Sequence, residues 1–312
     1  IIGLINSHIS IVFLRYISPT LDFKPGHIIQ IPLVKEIVTK EDINSLVQQN
    51  ISISKQDWDS HETSWDFERN PLYEQFLECM EDDLQNVIPS ETSLEELSKY
   101  AVAEAMHPLT TCMHNYKDKW EVNFMRLHKN EEELNRQFID IYGLQDELTP
   151  DVPLNEITVL QQGEISIEND RIKWHDDVVM KQFISYAVGC MMGRYSIDKP
   201  GLILANQGDG VNEYNEKVPN SRFEVDDDGI IPLMTSDTEF ADNATKRFKQ
   251  WLAIAFGDTH LVENLNFIEG ALGKSLDDYF VKDFWKDHKK MYQNRPIYWL
   301  FSSKKGAFQC IA

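Results

Sequence analysis

Leu134, Phe138, Ile141 and Tyr142 recur at i, i+4, i+7 and i+8, and Gly143 follows them. That spacing lays one apolar stripe along a helix, and a glycine, free to take positive φ, marks where the helix stops. The stripe must be covered by other apolar surface, so the chain is predicted to place a long helix, over about 117–142, within a core. Glu131, Glu132 and Glu133 precede the stripe and are expected on its solvated side.

Around this helix the pattern is mainly helical. Ile1 to Ile17 reads as an amphipathic core helix, interrupted by Asn6, Ser7, His8, Ser10 and Arg15, and shorter than the roughly 20 residues a bilayer needs. Ser93 with Glu96 matches a capping box; Leu94, Leu97, Ala101 and Ala105 continue that helix, which would form an antiparallel pair with the 117–142 helix across Pro108. Thr39 with Asp42 and Ser54 with Asp57 are weaker helix-start pairs. Over 156–174, Ile157, Val159, Ile165 and Ile167 alternate with polar residues around Gln162-Gly163, which predicts a small β-hairpin. Val178 to Tyr195 is apolar on nearly all sides and reads as a central buried helix, with Gly189 and Gly193 permitting close approach of another backbone. Glycines and prolines make 199–235 loop-rich; helices follow at Lys246 to Phe256, Leu261 to Leu272 and Asp277 to Tyr292.

Of the 312 residues, 42% are hydrophobic and 11% aromatic, enough for a packed core. The four cysteines, Cys79, Cys112, Cys190 and Cys310, are far apart and form no CxxC pair, which fits a reducing cytoplasm. A formal charge of -21 argues against this chain holding nucleic acid unaided, because phosphate contacts supply most non-specific affinity. The charge is uneven, however. Residues 281–305 carry seven bases against two acids, the best basic patch, whereas 213–242 carry nine acids against two bases.

No Walker loop, GxGxxG, Ser/His/Asp or Cys/His arrangement is present. Asp226-Asp227-Asp228-Gly229 lacks calcium-loop spacing and reads as a turn. His107, Cys112 and His114 have no second ligand pair at zinc spacing. Asn70-Pro71-Leu72-Tyr73 matches three positions of the Asn/Asp-Pro-Pro-Tyr/Phe loop that grips a flipped adenine, but Leu72 replaces a proline, and Asn followed by Pro suits the cap and first residue of a helix. Metal and cofactor sites are therefore expected to be absent from this chain.

Several blocks carry a family likeness: residues 130–151; Asn6-Ser7 followed by Pro19-Thr20-Leu21-Asp22-Phe23-Lys24-Pro25-Gly26-His27-Ile28 and Ile31-Pro32; Trp58-Asp59-Ser60-His61-Glu62-Thr63-Ser64-Trp65-Asp66-Phe67; Ser185 to Tyr195; Asp228 to Pro232; and Arg295 to Ser303. In this order they resemble the C-terminal region of the PglX-type adenine-specific DNA methyltransferases of BREX phage-exclusion systems. The resemblance implies a parent enzyme that methylates adenine N6 with S-adenosylmethionine, acts on double-stranded DNA and works beside other defence proteins without a membrane anchor. Chain ends without an initiator Met or cap are expected to continue in both directions, with catalysis in the missing N-terminal part.

The fold expected is mainly α, of α+β type: residues 1–70 would end a target-recognition region, as a helix plus extended segment and linker, and 71–312 would form a helical domain with an excursion at 199–235. The function expected is non-catalytic positioning of DNA or partner proteins. Phosphate contacts are assigned to Arg15, Lys24, His27 and Lys35 near the recognition segment and to Lys286, Lys289, Lys290 and Arg295. The alternative is a helical protein-interaction scaffold without direct DNA contact.

Overall fold

The computed structural model describes residues 1–18, 22–87, 107–304, 306 and 308–312. The segment Pro19-Thr20-Leu21, the Ser93–Glu96 capping box with the helix predicted behind it, and Lys305 lie outside the described residues. The architecture is mainly α with a small β-hairpin, as the patterning predicts, and carries a second small sheet that the patterning did not announce. It divides into two compact units: Ile1–Trp58 with Lys119–Lys173, and Asp59–Asp118 with Trp174–Ala312.

The first unit is organised by the apolar stripe. Leu134 and Phe138 are buried in one cluster with Leu4, Ile9, Ile37 and Ile43, and Ile141 and Tyr142 pack on its margin. Their helix spans Leu109–Tyr142, starting earlier than expected, and Gly143 ends it at φ 67°. The expected N-terminal helix is two, Ile2–Ile5 and His8–Ile17; the break falls at Asn6-Ser7, where the Ser7 hydroxyl donates to the Leu4 carbonyl at 2.6 Å. A short hydroxyl side chain competing for backbone partners is the usual local reason for such an interruption.

Two expected helix starts are corrected. Thr39 closes the helix Lys35–Thr39 by donating back to Glu36, and Ser54 lies inside the helix Glu41–Asp59. The hairpin forms from β1 (Ile165–Glu168) and β2 (Arg171–Trp174), but it turns at Asn169-Asp170 rather than Gln162-Gly163. Both turn residues are left-handed, at φ 52° and 56°, the backbone a two-residue turn of primed type requires. Ile157 and Val159 therefore precede the strands; both are buried.

The second unit is built on the helix Asp176–Met191, predicted from its all-round apolarity, which buries eleven residues. Phe183 and Tyr186 meet Trp251 at ring separations of 5.3 and 6.1 Å, and Phe183 meets Phe256 at 5.6 Å. Trp251 and Phe256 belong to the helix Ala244–Phe256, whose start is capped by Asn243 accepting from Thr245 and Lys246 N–H groups. Leu261–Leu272 follows within its predicted bounds, and both helices end at glycines of positive φ, Gly257 and Gly273. A small sheet orders β3 (Ile231–Pro232), β5 (Gln309–Ile311) and β4 (Leu300–Ser302), with Ile311 opposite both Ile231 and Leu300.

The glycines in and just after the central helix act differently from expectation. A Cβ on Gly189 would lie 2.5 Å from the Tyr195 ring, so this glycine admits an aromatic side chain rather than a backbone; Gly193 is needed for its φ of 73°. The single helix expected over Asp277 to Tyr292 is two, Leu276–Lys282 and Phe284–Met291, separated by Asp283 at φ -126°, ψ -32°. Asp226 and Asp228 accept the Ile230 N–H at 3.1 and 2.8 Å, and Gly229 takes φ 69°, which makes that acidic run a turn. Among the described residues, no helix is long and apolar enough to cross a membrane.

Candidate nucleic-acid interface

The eight basic residues assigned to DNA fall in different units. Arg15 is exposed in the last turn of His8–Ile17, Lys24 precedes the helix Pro25–Ile28, and Lys35 opens Lys35–Thr39. His27 is half-buried and its Nδ1 accepts the Lys24 N–H at 3.2 Å, so this ring has a local structural role.

The second group is held more tightly. In Phe284–Met291, Phe284 and His288 face inward while Lys286, Lys289 and Lys290 are exposed; their spacing of three and four puts the lysines on one helix face. The chain then reverses through Gln293 and Asn294, both left-handed, whose N–H groups bond the Lys290 and Lys289 carbonyls at 3.0 and 2.8 Å. Exposed Arg295 follows directly. Lys286 is engaged by Asp283 at 3.3 Å. Lys289, Lys290 and Arg295 have no acid partner among the described residues, whereas Lys117, Lys181, Lys217, Lys274 and Lys282 each have one. Cations in the last turn also complement the helix dipole, which explains their local stability.

Beneath this basic face is a buried polar cluster that sequence reasoning missed. The His288 Nε2 accepts the Ile297 and Tyr298 N–H groups at 3.3 and 3.5 Å, the ring stacks on Tyr298 at 4.9 Å, and burial pushes its basicity down to about 4. A neutral imidazole accepting at Nε2 carries its proton on Nδ1, and that atom is buried with no partner among the described residues.

The Glu62 side chain turns inward beside it. One carboxyl oxygen accepts from Ser185 Oγ at 3.0 Å and from the Tyr292 hydroxyl at 2.9 Å, while Oε1 is shut from solvent without a partner among the described residues. Burial raises its pKa to about 7, against the hydrogen bonds and the nearby Arg194 guanidinium, which lower it. Arg194 Nε in turn donates to the Tyr195 hydroxyl at 3.2 Å. Glu62, Ser185, Arg194, Tyr195 and Tyr298 come from three of the sequence blocks that carry the family likeness. Their shared blocks are the signal that could have found the cluster; its partners lie 123 and 230 residues from Glu62. It holds no exposed nucleophile or base, and its chemistry is that of a brace tying Tyr292 and the 295–298 segment to the central helix.

The methylase-like tetrapeptide is likewise structural. Asn70 Oδ1 accepts the Leu72 N–H at 3.0 Å and Pro71 opens the helix Pro71–Val87; Tyr73 is fully buried with its hydroxyl on the Ile197 carbonyl at 3.3 Å. A spent amide oxygen and an enclosed ring do not fit a cradle for a flipped adenine or S-adenosylmethionine. His107 pairs with Asp83 at 2.8 Å, His114 with Asp118 at 3.3 Å, and Cys112 is buried, so these three share no ligand geometry.

No protein-family model matches the chain. It is 36% identical over 321 residues, 99% of its length, to the adenine-specific methyltransferase PglX of Lacticaseibacillus casei, and 34% identical over 313 residues, 95% of its length, to the adenine-specific methyltransferase BrxX of Escherichia coli O9:H4. The chain spans 23% of the length of each of these relatives. Along nearly its whole length, therefore, the chain is homologous to a segment of the PglX and BrxX adenine-specific methyltransferases.

Proposed function

We propose that this chain is a non-catalytic portion of a site-specific adenine-N6 DNA methyltransferase of a phage-defence system, and that it positions double-stranded DNA for chemistry performed elsewhere in the protein. Methyl transfer from S-adenosylmethionine belongs, in this reading, to the other three quarters of a PglX-length enzyme, since the Asn70–Tyr73 loop is committed to capping and packing. One observation carries the reading: Lys289, Lys290 and Arg295 stand exposed and without an acid partner among the described residues, on a hydrogen-bonded helix end, in a chain whose formal charge is -21.

Unpaired cations on an ordered scaffold suit contacts to phosphate, which fix register without reading bases. Arg15, Lys24 and Lys35, also exposed and without an acid partner among the described residues, form a second candidate set; His27 is the weakest member because its ring is tied to the Lys24 backbone. Charge reversal at Lys289, Lys290 and Arg295 in the intact methyltransferase tests the reading. Binding to specific and unrelated duplexes should weaken together; undiminished binding to both rejects the assignment.

A second reading, a protein-interaction scaffold, is favoured by the outer strand β4. Trp299 and Phe301 are 67% and 58% exposed beside that edge, an apolar display suited to a protein partner. Partners such as other defence proteins, captured without nucleic acid and lost on Trp299→Ala, would support it over the DNA reading.

A further inference from the structure

The acidic run Glu131-Glu132-Glu133, expected on a solvated face, is not uniform. Glu132 accepts the Val152 N–H and pairs with His128 at 3.4 Å; Glu133 binds Arg136 and Gln137. Glu131 is half-buried and neither accepts a hydrogen bond from nor forms an ion pair with any described residue. It lines a cleft of about 480 Å³ lying wholly within the first unit.

The cleft has two chemically distinct parts. Ile11, Val47, Ile51, Leu127 and Leu134 supply aliphatic wall; Glu131, Glu156 and His8 supply ionisable groups. His8 Nε2 stands 3.9 Å from a Glu156 oxygen, whereas the basic group acting on Glu131 is His128, which pairs with Glu132. The volume lies within the range of sites for small organic ligands, in which a few polar groups orient a largely apolar molecule.

We infer that this cleft is a binding site for a small aliphatic ammonium ion, its alkyl part along the isoleucine and leucine wall and its charge on the Glu131 carboxylate. A carboxylate lacking donors gains most from a ligand that brings both a positive charge and N–H groups. Burial, with a smaller contribution from the neighbouring Glu156, raises the Glu131 pKa to about 7, against the pull of His128, which marks a group whose charge is only partly compensated. A neutral alcohol of equal length would fill the same wall and leave the carboxylate uncompensated; a fatty acid anion would be repelled.

The site does not depend on the DNA reading, since neither set of proposed phosphate contacts lines it. Calorimetric titration of the 312-residue chain with n-hexylammonium, hexan-1-ol and hexanoate tests it. Saturable 1:1 binding of hexylammonium, at least tenfold tighter than hexanol, is expected, with no binding of hexanoate. Glu131→Gln should remove the tenfold preference, whereas Glu133→Gln, outside the cleft, should keep it. Ile51→Trp, which fills the aliphatic side while leaving Glu131 in place, should abolish binding with the circular-dichroism spectrum unchanged. Equal binding of ammonium and alcohol, absence of saturation, or a Glu131→Gln variant that retains the preference would overturn the assignment.

Discussion

Replacing Glu62 by Gln should change how the stability of the second unit depends on pH. Burial raises the Glu62 pKa from 4.5 to about 7, so the folded state holds that proton more firmly than the unfolded chain does. Its stabilising contribution is complete below pH 4.5 and is lost as pH rises through 7. The difference between 4.5 and about 7, at about 1.4 kcal/mol per tenfold in proton affinity, sets an upper limit of roughly 3 kcal/mol. His288 acts in the opposite sense. Its pKa is lowered from 6.5 to about 4, so its contribution is present above pH 6.5 and is lost as pH falls through 4. In the wild type the two slopes oppose each other between pH 4.5 and 6.5. In Glu62→Gln the His288 slope is no longer opposed by Glu62. Subtracting the two proteins cancels all other groups: wild type minus variant should fall by about 2–3 kcal/mol between pH 4.5 and 8. Hydrogen exchange of the buried Asp176–Met191 amides, followed by mass spectrometry, reports this unit directly and avoids assuming that both units unfold together. A difference constant within about 0.5 kcal/mol over that range would refute the buried, poorly compensated carboxyl.

Phe138→Ala, at a fully buried position in the first-unit core, should cost about 3–5 kcal/mol, read as earlier urea unfolding of amides in the 119–142 segment. Gly189→Ala should cost about 1–3 kcal/mol by driving a methyl into the Tyr195 ring, and should be relieved in part by Tyr195→Leu, a coupling that a double-mutant cycle measures. Asn243→Ala removes the cap of Ala244–Phe256 and leaves its first N–H groups unsatisfied; a loss of about 1–2 kcal/mol in chemical denaturation is expected.

Much of the fold was legible where one local force acted alone. The Leu134–Tyr142 stripe with its glycine stop, the apolar helix around Phe183 and the Asn70-Pro71 helix start each rest on short-range geometry. Legibility failed where two local signals competed. Gln162-Gly163 looks like a turn, yet Asn169-Asp170 takes it because both residues tolerate left-handed backbone. Asp283 interrupts a helix pattern with no glycine or proline to announce it, and there its carboxylate gathers Lys274 and Lys286. The candidate basic patch was readable as a run of lysines. Which of them are left unpaired depends on tertiary contacts, and so does the inward turn of Glu62 onto Ser185 and Tyr292, residues that no local pattern links to it.

The most direct test of the positioning role is the salt dependence of duplex binding by the intact methyltransferase, wild type against Lys289→Glu, Lys290→Glu, Arg295→Glu. Each phosphate contact contributes about 0.9 to the slope of log K against log salt. The triple variant should form a weaker complex whose slope is shallower by about 2–3, for specific and unrelated sequences alike. An unchanged affinity with an unchanged slope would contradict it and leave the basic face without a role on DNA.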